Sequence, residues 1–346
     1  MFSINMNSFA TCPCGVDVHA HIIPHDFPDY LGGAAPSGWP SMAPAQACHR
    51  HVMIDGKNYR TVSDKSWSAA KRLADFDEMG LSLQAISPMP ELLSYWLAPA
   101  AGAQLVRYLN EQIALMVAES SGRLVGLGAV PLQDIDLALK ELAYLKHSLG
   151  FAGVEIGSNI NGVPIGDMLF DPFFEACEAL DLAVFVHALR PTGMDRLVGP
   201  APLQQVLAYP TDVGLAAASA ITSNLMLRRP RLRIAFSHGG GTLAMLLPRL
   251  EQAVSVFPAL RETVQISPTE QARSFYFDTL VFDTPTLQHL VALFGDTQLM
   301  IGTDYPFNFQ ESRPVQRIAQ AGFDARVTQQ LVQTNGLRFL GLPALT

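Results

Sequence analysis

Asp17-Val18-His19-Ala20-His21 lies in a short apolar run, Val16 to Ile23, and reading that run as a strand sets the fold of the whole chain. In an extended strand residues two apart point the same way, so both imidazoles share one face. Neutral imidazole is the commonest metal ligand, and a pair on one face chelates a divalent ion. A surface strand carries such a pair equally well, so the motif gains meaning only from what accompanies it. Three stretches far downstream do so: Phe185-Val186-His187, Phe236-Ser237-His238-Gly239-Gly240-Gly241 and Gly302-Thr303-Asp304-Tyr305-Pro306. Each sets a polar residue at the end of a hydrophobic run, ahead of loop-forming residues.

Runs of that kind recur along the chain, near 16–22, 84–88, 123–130, 152–157, 182–187, 232–237, 275–281 and 298–303. Amphipathic segments fall between them, at 66–80, 102–120, 134–148, 171–180, 212–227, 242–256 and 285–294. Leu137, Leu139, Leu142, Leu145 and Leu149 show the helical period within one of these. Strands alternating with helices form parallel βαβ units, and eight of them favour a (β/α)8 TIM barrel. The competing open sheet lacks its glycine-rich phosphate turn after the first strand. Residues 24–65 break the pattern, being rich in Pro, Gly, Ser and His. They read as a lid inserted after strand 1, with a hairpin around Val52–Val62 turning at Asp55-Gly56. Residues 1–346 are otherwise taken as one domain.

Composition narrows the function. The 346 residues are 49% hydrophobic and 16% charged, with a net charge of −8 and no basic cluster. Nucleic-acid binding is therefore not expected. No apolar run is long enough to span a membrane, and residues 1–15 carry neither Lys nor Arg, against a secretory signal. Cys12, Cys14, Cys48 and Cys177 form no Cys-x-x-Cys pair and suit reduced, cytoplasmic surroundings. Cys12-Pro13-Cys14 is read as an irregular tail rather than a metal or redox site.

Catalytic residues of (β/α)8 enzymes stand at the C-terminal ends of the strands. That rule brings His19 and His21 from strand one together with His187, His238 and Asp304 from strands five, six and eight. Three imidazoles and a carboxylate with an open position make a catalytic rather than a closed structural site. Zinc suits it first; manganese, cobalt and ferrous iron accept the same ligand types. Taken singly, each residue has a plain structural role: a packed core histidine for His187, a turn cap for Asp304, turn chemistry for His238. His25, His49 and His51 read as solvated loop residues, His147 and His289 as ordinary helix histidines.

The pattern resembles the amidohydrolase superfamily, and within it the metal-dependent decarboxylase branch. The likeness runs through Asp17-Val-His-Ala-His21, Asp55-Gly-Lys-Asn-Tyr-Arg60, Ser94-Tyr-Trp96, Arg123-Leu-Val-Gly-Leu-Gly128, Phe185-Val-His187, Ser237-His-Gly-Gly-Gly241 and Gly302-Thr-Asp-Tyr-Pro-Phe307. It implies one divalent metal, zinc, held by His19, His21, His187 and Asp304, with His238 as the catalytic acid/base and Asp304 beside it. Arg60 matches an arginine that grips a substrate carboxylate, and Trp96 belongs to a matching substrate-side motif. Arg249 matches one that reaches into the neighbouring subunit's site of a homodimer.

This chain also departs from the branch. His187-Ala188-Leu189-Arg190 replaces a His-Pro-Trp sequence, and the loop from Pro191 to Pro210 has no tryptophan but carries Arg196. Ser63 stands where the lid has a second arginine, and Glu155 where the branch has glutamine. An aromatic shelf is thus expected to give way to smaller groups, with Arg190 moved in to meet the substrate. No lysine stands near Glu155 to bridge a second metal. The expected activity is non-oxidative decarboxylation of a small aromatic or muconate-like carboxylic acid. The alternatives are a hydrolase or hydratase acting on an amide, lactone or ring carbonyl at the same site, and a barrel without catalysis.

Overall fold

The computed structural model describes residues 14–344, so Cys12 lies outside the described residues. The chain opens with β1 (Gly15–Asp17) and β2 (His21–Ile22), followed by β3 (Pro40–Pro44), β4 (His49–Ile54) and β5 (Lys57–Ser63). Next come β6 (Leu81–Pro88), β7 (Leu124–Gly128) and β8 (Gly153–Gly157), then a small ribbon of β9 (Asn159–Ile160) and β10 (Val163–Pro164). The series ends with β11 (Ala183–His187), β12 (Ile234–Phe236), β13 (Tyr276–Asp278) and β14 (Leu299–Met300).

Parallel pairing runs β1-β6-β7-β8-β11-β12-β13-β14, with β2 also on β6, and the bridge Asp17↔Ile301 joins the last strand to the first. This is the expected (β/α)8 barrel. Its interior is packed by Val16, Leu83, Leu127, Phe185, Ala235, Tyr276 and Met300, from every barrel strand but β8, whose Val154 and Ile156 belong to the core under the helices. The intervening positions, such as Val184, Val186, Ile234 and Phe236, face the helices in a second, larger core. Helix Pro99–Glu119 buries Leu105, Leu109, Ile113 and Met116 at helical spacing. Asp134 caps helix Ile135–His147 by accepting from the Leu137 N–H at 3.0 Å.

Several elements differ from expectation. The first strand is interrupted. His21 is four positions beyond Asp17, whereas their partners Gln84 and Ser87 are three positions apart. The extra residue is a bulge that shifts the strand's phase, so Val16 and Val18 point inward and so do His19 and His21. The expected helix over 66–80 is two, Ala69–Ala74 and Phe76–Met79, separated at Asp75. The lid is a three-stranded antiparallel sheet of β3, β4 and β5 rather than a hairpin alone. Its Val52 and Val62 pack with Trp39, Ile23 and Met89, which seats the sheet on the barrel's rim.

Candidate active site

Strand phase delivers the site. Along β11 the inward positions are Ala183, Phe185 and His187, and the last of these clears the packed interior at the rim. His19 and His21 arrive there through the bulge, and Asp304 from the loop after β14. The ligand atoms of His19, His21, His187 and Asp304 all lie within 4.8 Å of one another. His19 Nε2 stands 3.1 Å from His21 Nε2, and Asp304 Oδ1 stands 3.6 and 3.2 Å from the same two nitrogens.

Hydrogen bonding decides which nitrogen of each ring is free. His21 Nδ1 donates to the Pro88 carbonyl at 3.1 Å, and His187 Nδ1 to the Ala188 carbonyl at 2.9 Å. A carbonyl oxygen only accepts, so both protons sit on Nδ1 and both Nε2 atoms carry lone pairs. His19 Nδ1 is bound in the same way to Asp278 Oδ2 at 2.7 Å. Two lone pairs facing each other at 3.1 Å repel unless a cation lies between them. The buried His187 Nε2 has no hydrogen-bond partner at all. Nitrogens about 2.1 Å from a common ion have such separations, so the residues fit a divalent metal. Burial lowers the pKa of all three rings, that of His21 to about 3 and that of His187 to about 4, which keeps them neutral for ligation.

Asp278, at the end of β13, is a functional residue that sequence reasoning missed. Besides the His19 ring it accepts the backbone N–H of His238 at 2.9 Å and of Gly239 at 2.8 Å. It therefore orients a ligand and the candidate acid/base together. His238 has φ 54° and Asp304 φ 60°, both in the left-handed region that non-glycine residues seldom adopt. The His238 ring lies 5.0 Å from that of His187, centroid to centroid, and 5.5 Å from that of His19. Desolvation lowers its pKa, leaving a neutral imidazole.

A clamp beneath the rim holds the bulged strand. Fully buried Arg72 donates to the His21 carbonyl at 2.6 Å and to Gln84 Oε1 at 2.8 Å. Gln84 Nε2 in turn donates to Asp17 Oδ2, which also takes the Thr303 hydroxyl at 2.6 Å. Asp17 is pushed up to about 7 by burial. Glu155, in the middle of β8, accepts from Ser87 at 2.5 Å and lies 3.6 Å from His21 Nδ1.

Above the cluster opens a cavity of about 300 Å³ whose wall includes His187, His238 and Asp304. Arg60 on β5 lies over the Phe307 ring at 4.3 Å, and Phe307 stacks on His21, so the lid brings its arginine to the cluster. The remaining expected residues stand elsewhere. Arg190 lies over Trp96, its guanidinium carbon 3.2 Å from the ring centroid, and both border a neighbouring cleft, not this cavity. Arg249 is exposed on helix Leu243–Val256 and does not line its own chain's cavity. Aromatic lining has not been lost with the tryptophans: Tyr59, Tyr209, Phe282, Phe307 and Phe309 supply it.

Known proteins share the sequence pattern and the fold of this chain. The family model for amidohydrolases matches residues 16–342. A 2-amino-3-carboxymuconate-6-semialdehyde decarboxylase of Dictyostelium discoideum is 34% identical over 94% of this chain and 91% of its own length. The crystal structure of 5-carboxyvanillate decarboxylase from Sphingomonas paucimobilis superposes with a TM-score of 0.72 at 27% identity, covering 79% of this chain and 83% of that one. A dihydroxybenzoic acid decarboxylase from a Polaromonas species, solved with manganese, shares the fold with a TM-score of 0.76 at 19% identity, over 95% of this chain and 97% of that one. The chain belongs to the amidohydrolase family, in its decarboxylase branch.

Proposed function

We propose that this chain is a zinc-dependent, non-oxidative decarboxylase of a small aromatic or muconate-like acid. The whole chain is taken as one catalytic unit, active as a homodimer. The observation that carries the reading is the convergence of three proton-free Nε2 atoms and Asp304 beneath a cavity that also presents Arg60. Zinc is favoured by the nitrogen-rich ligand set. Manganese, bound by the Polaromonas enzyme of the same fold, is the nearest competitor.

When bound, the ion supplies positive charge that stabilises the electrons left on the substrate as carbon dioxide departs. Arg60 holds a carboxylate that stays, because gripping the leaving one would oppose its expulsion. The neutral His238 imidazole takes up a proton from solvent on its free nitrogen and hands it to the carbon that carbon dioxide leaves. Asp278 fixes the turn that aims it. Phe307 and the aromatic residues around it bind the flat substrate and exclude water.

Arg249, exposed on its helix, is free to serve the cavity of a second copy, which supports the homodimer. The buried Cys177 thiol suits a cytoplasmic protein. Metal-loaded protein offered small ring acids is expected to release carbon dioxide with the rest of the molecule intact. Ring opening or amide cleavage without carbon dioxide would replace this reading with the hydrolytic one.

A further inference from the structure

Apart from Asp304, which belongs to the metal-ligand cluster, Glu91 is the one carboxylate among the described residues that line the cavity, and its charge opposes an acidic substrate. It sits in the short helix Pro90–Leu93, just after β6, with its side chain 14% exposed. Its Oε1 accepts from Arg190 Nη2 at 3.1 Å, and Arg190 is half-exposed beyond the cavity, resting on Trp96. Burial raises the Glu91 pKa while Arg190 draws it back. A cavity for simple anions would gain by having any neutral residue there. The same wall carries the side chains of Tyr59 and Tyr209. Arg60 and Glu91 thus give one small, mostly apolar space a cation and an anion at once. A ring bearing only carboxylates satisfies the first and is repelled by the second. A ring that also carries an N–H or O–H donor satisfies both.

We infer that Glu91 is a specificity-determining residue whose carboxylate accepts a hydrogen bond from a hydroxyl or amino group on the substrate. The inference rests on the decarboxylase reading, but its readout is binding. Matched ring acids, each hydroxyl- or amino-bearing member beside its O-methyl or methyl counterpart, are titrated by calorimetry into zinc-loaded full-length protein. At least one donor-bearing acid binds tenfold or more tightly than its counterpart, the range of a hydrogen bond to a charged group (about 10- to 100-fold). Glu91→Met brings that pair to within about twofold of each other, with metal content and binding of the methylated member kept. Arg190→Met, which removes the ion pair but leaves the carboxylate, keeps the discrimination. Three results overturn the inference: no donor-bearing acid preferred, equal discrimination in Glu91→Met, or equal weakening of both members, which makes Glu91 an anchor for Arg190 only. Carbon dioxide release is followed in the same samples. Discrimination without release leaves Glu91 in its role and removes the decarboxylase reading instead.

Discussion

Asp278 makes no substrate contact in the proposed reaction, yet two histidines depend on it. One carboxylate binds the Nδ1–H of His19 and the backbone N–H of His238. Carboxylates behind ligating histidines contribute about 10- to 100-fold in metal affinity, so Asp278→Asn is expected to weaken zinc binding by that factor in a competition titration. Alanine at His19, His21, His187 or Asp304 should abolish binding of the single equivalent. His238→Ala should keep the metal and lose about 10²- to 10⁴-fold in kcat, the usual share of a general acid/base. Metal analysis beside steady-state kinetics separates these outcomes; a metal-replete His238→Ala with normal turnover would make that histidine structural. His187, His238 and Asp304 were legible because each follows an apolar run and precedes loop-forming residues, and His19 and His21 because they stand two apart within one such run. Asp278 has the same grammar after Tyr276-Phe277, but the apolar Leu280 and Val281 beyond it extend the run and hide where the strand stops. Glu91 and the outward turn of Arg190 belong to no periodic pattern and emerge only from packing.

At the level of elements, the alternation of strands and helices announces the barrel, whereas the bulge between β1 and β2 leaves no such trace. A regular strand would carry both imidazoles toward the helices, because Val16 and Val18 already occupy the inward phase. The edge strand β3 also escapes sequence reading: proline at both ends and no alternation disguise it, and only an edge tolerates it. The Gly239-Gly240-Gly241 turn, in contrast, is dictated by space. Gly241 has φ 58°, and a Cβ there would lie 1.8 Å from the Pro210 carbonyl oxygen. Gly241→Ala is therefore expected to cost about 2–4 kcal/mol in denaturant unfolding and to displace His238. A variant of unchanged stability would show that the neighbouring helix Tyr209–Thr222 gives way.

On the scale of the whole molecule, Arg249 offers the sharpest test of assembly. Arg249→Ala and His238→Ala chains, each inactive alone, should recover part of the activity when mixed, since some heterodimers then hold one complete site. No recovery despite proven subunit exchange would confine Arg249 to its own chain. Metal also acts on the molecule at large. An ion present at 1,000 times its Kd stabilises the folded state by about 4 kcal/mol, so a chelator should lower Tm and added zinc restore it. An unchanged Tm would mean that the cluster binds no ion.

The seam of the barrel carries a consequence for how the protein comes into being. The His19 carbonyl accepts the backbone N–H of both Thr303 and Asp304, so the loop that closes the cylinder is also the loop that completes the coordination sphere. During synthesis, the first pair of histidines leaves the ribosome long before its aspartate does. The nascent chain holds two of the four ligands, and three once β11 has emerged, until the loop after β14 follows, so metal capture becomes a report that the last turn of the ring has docked against the first.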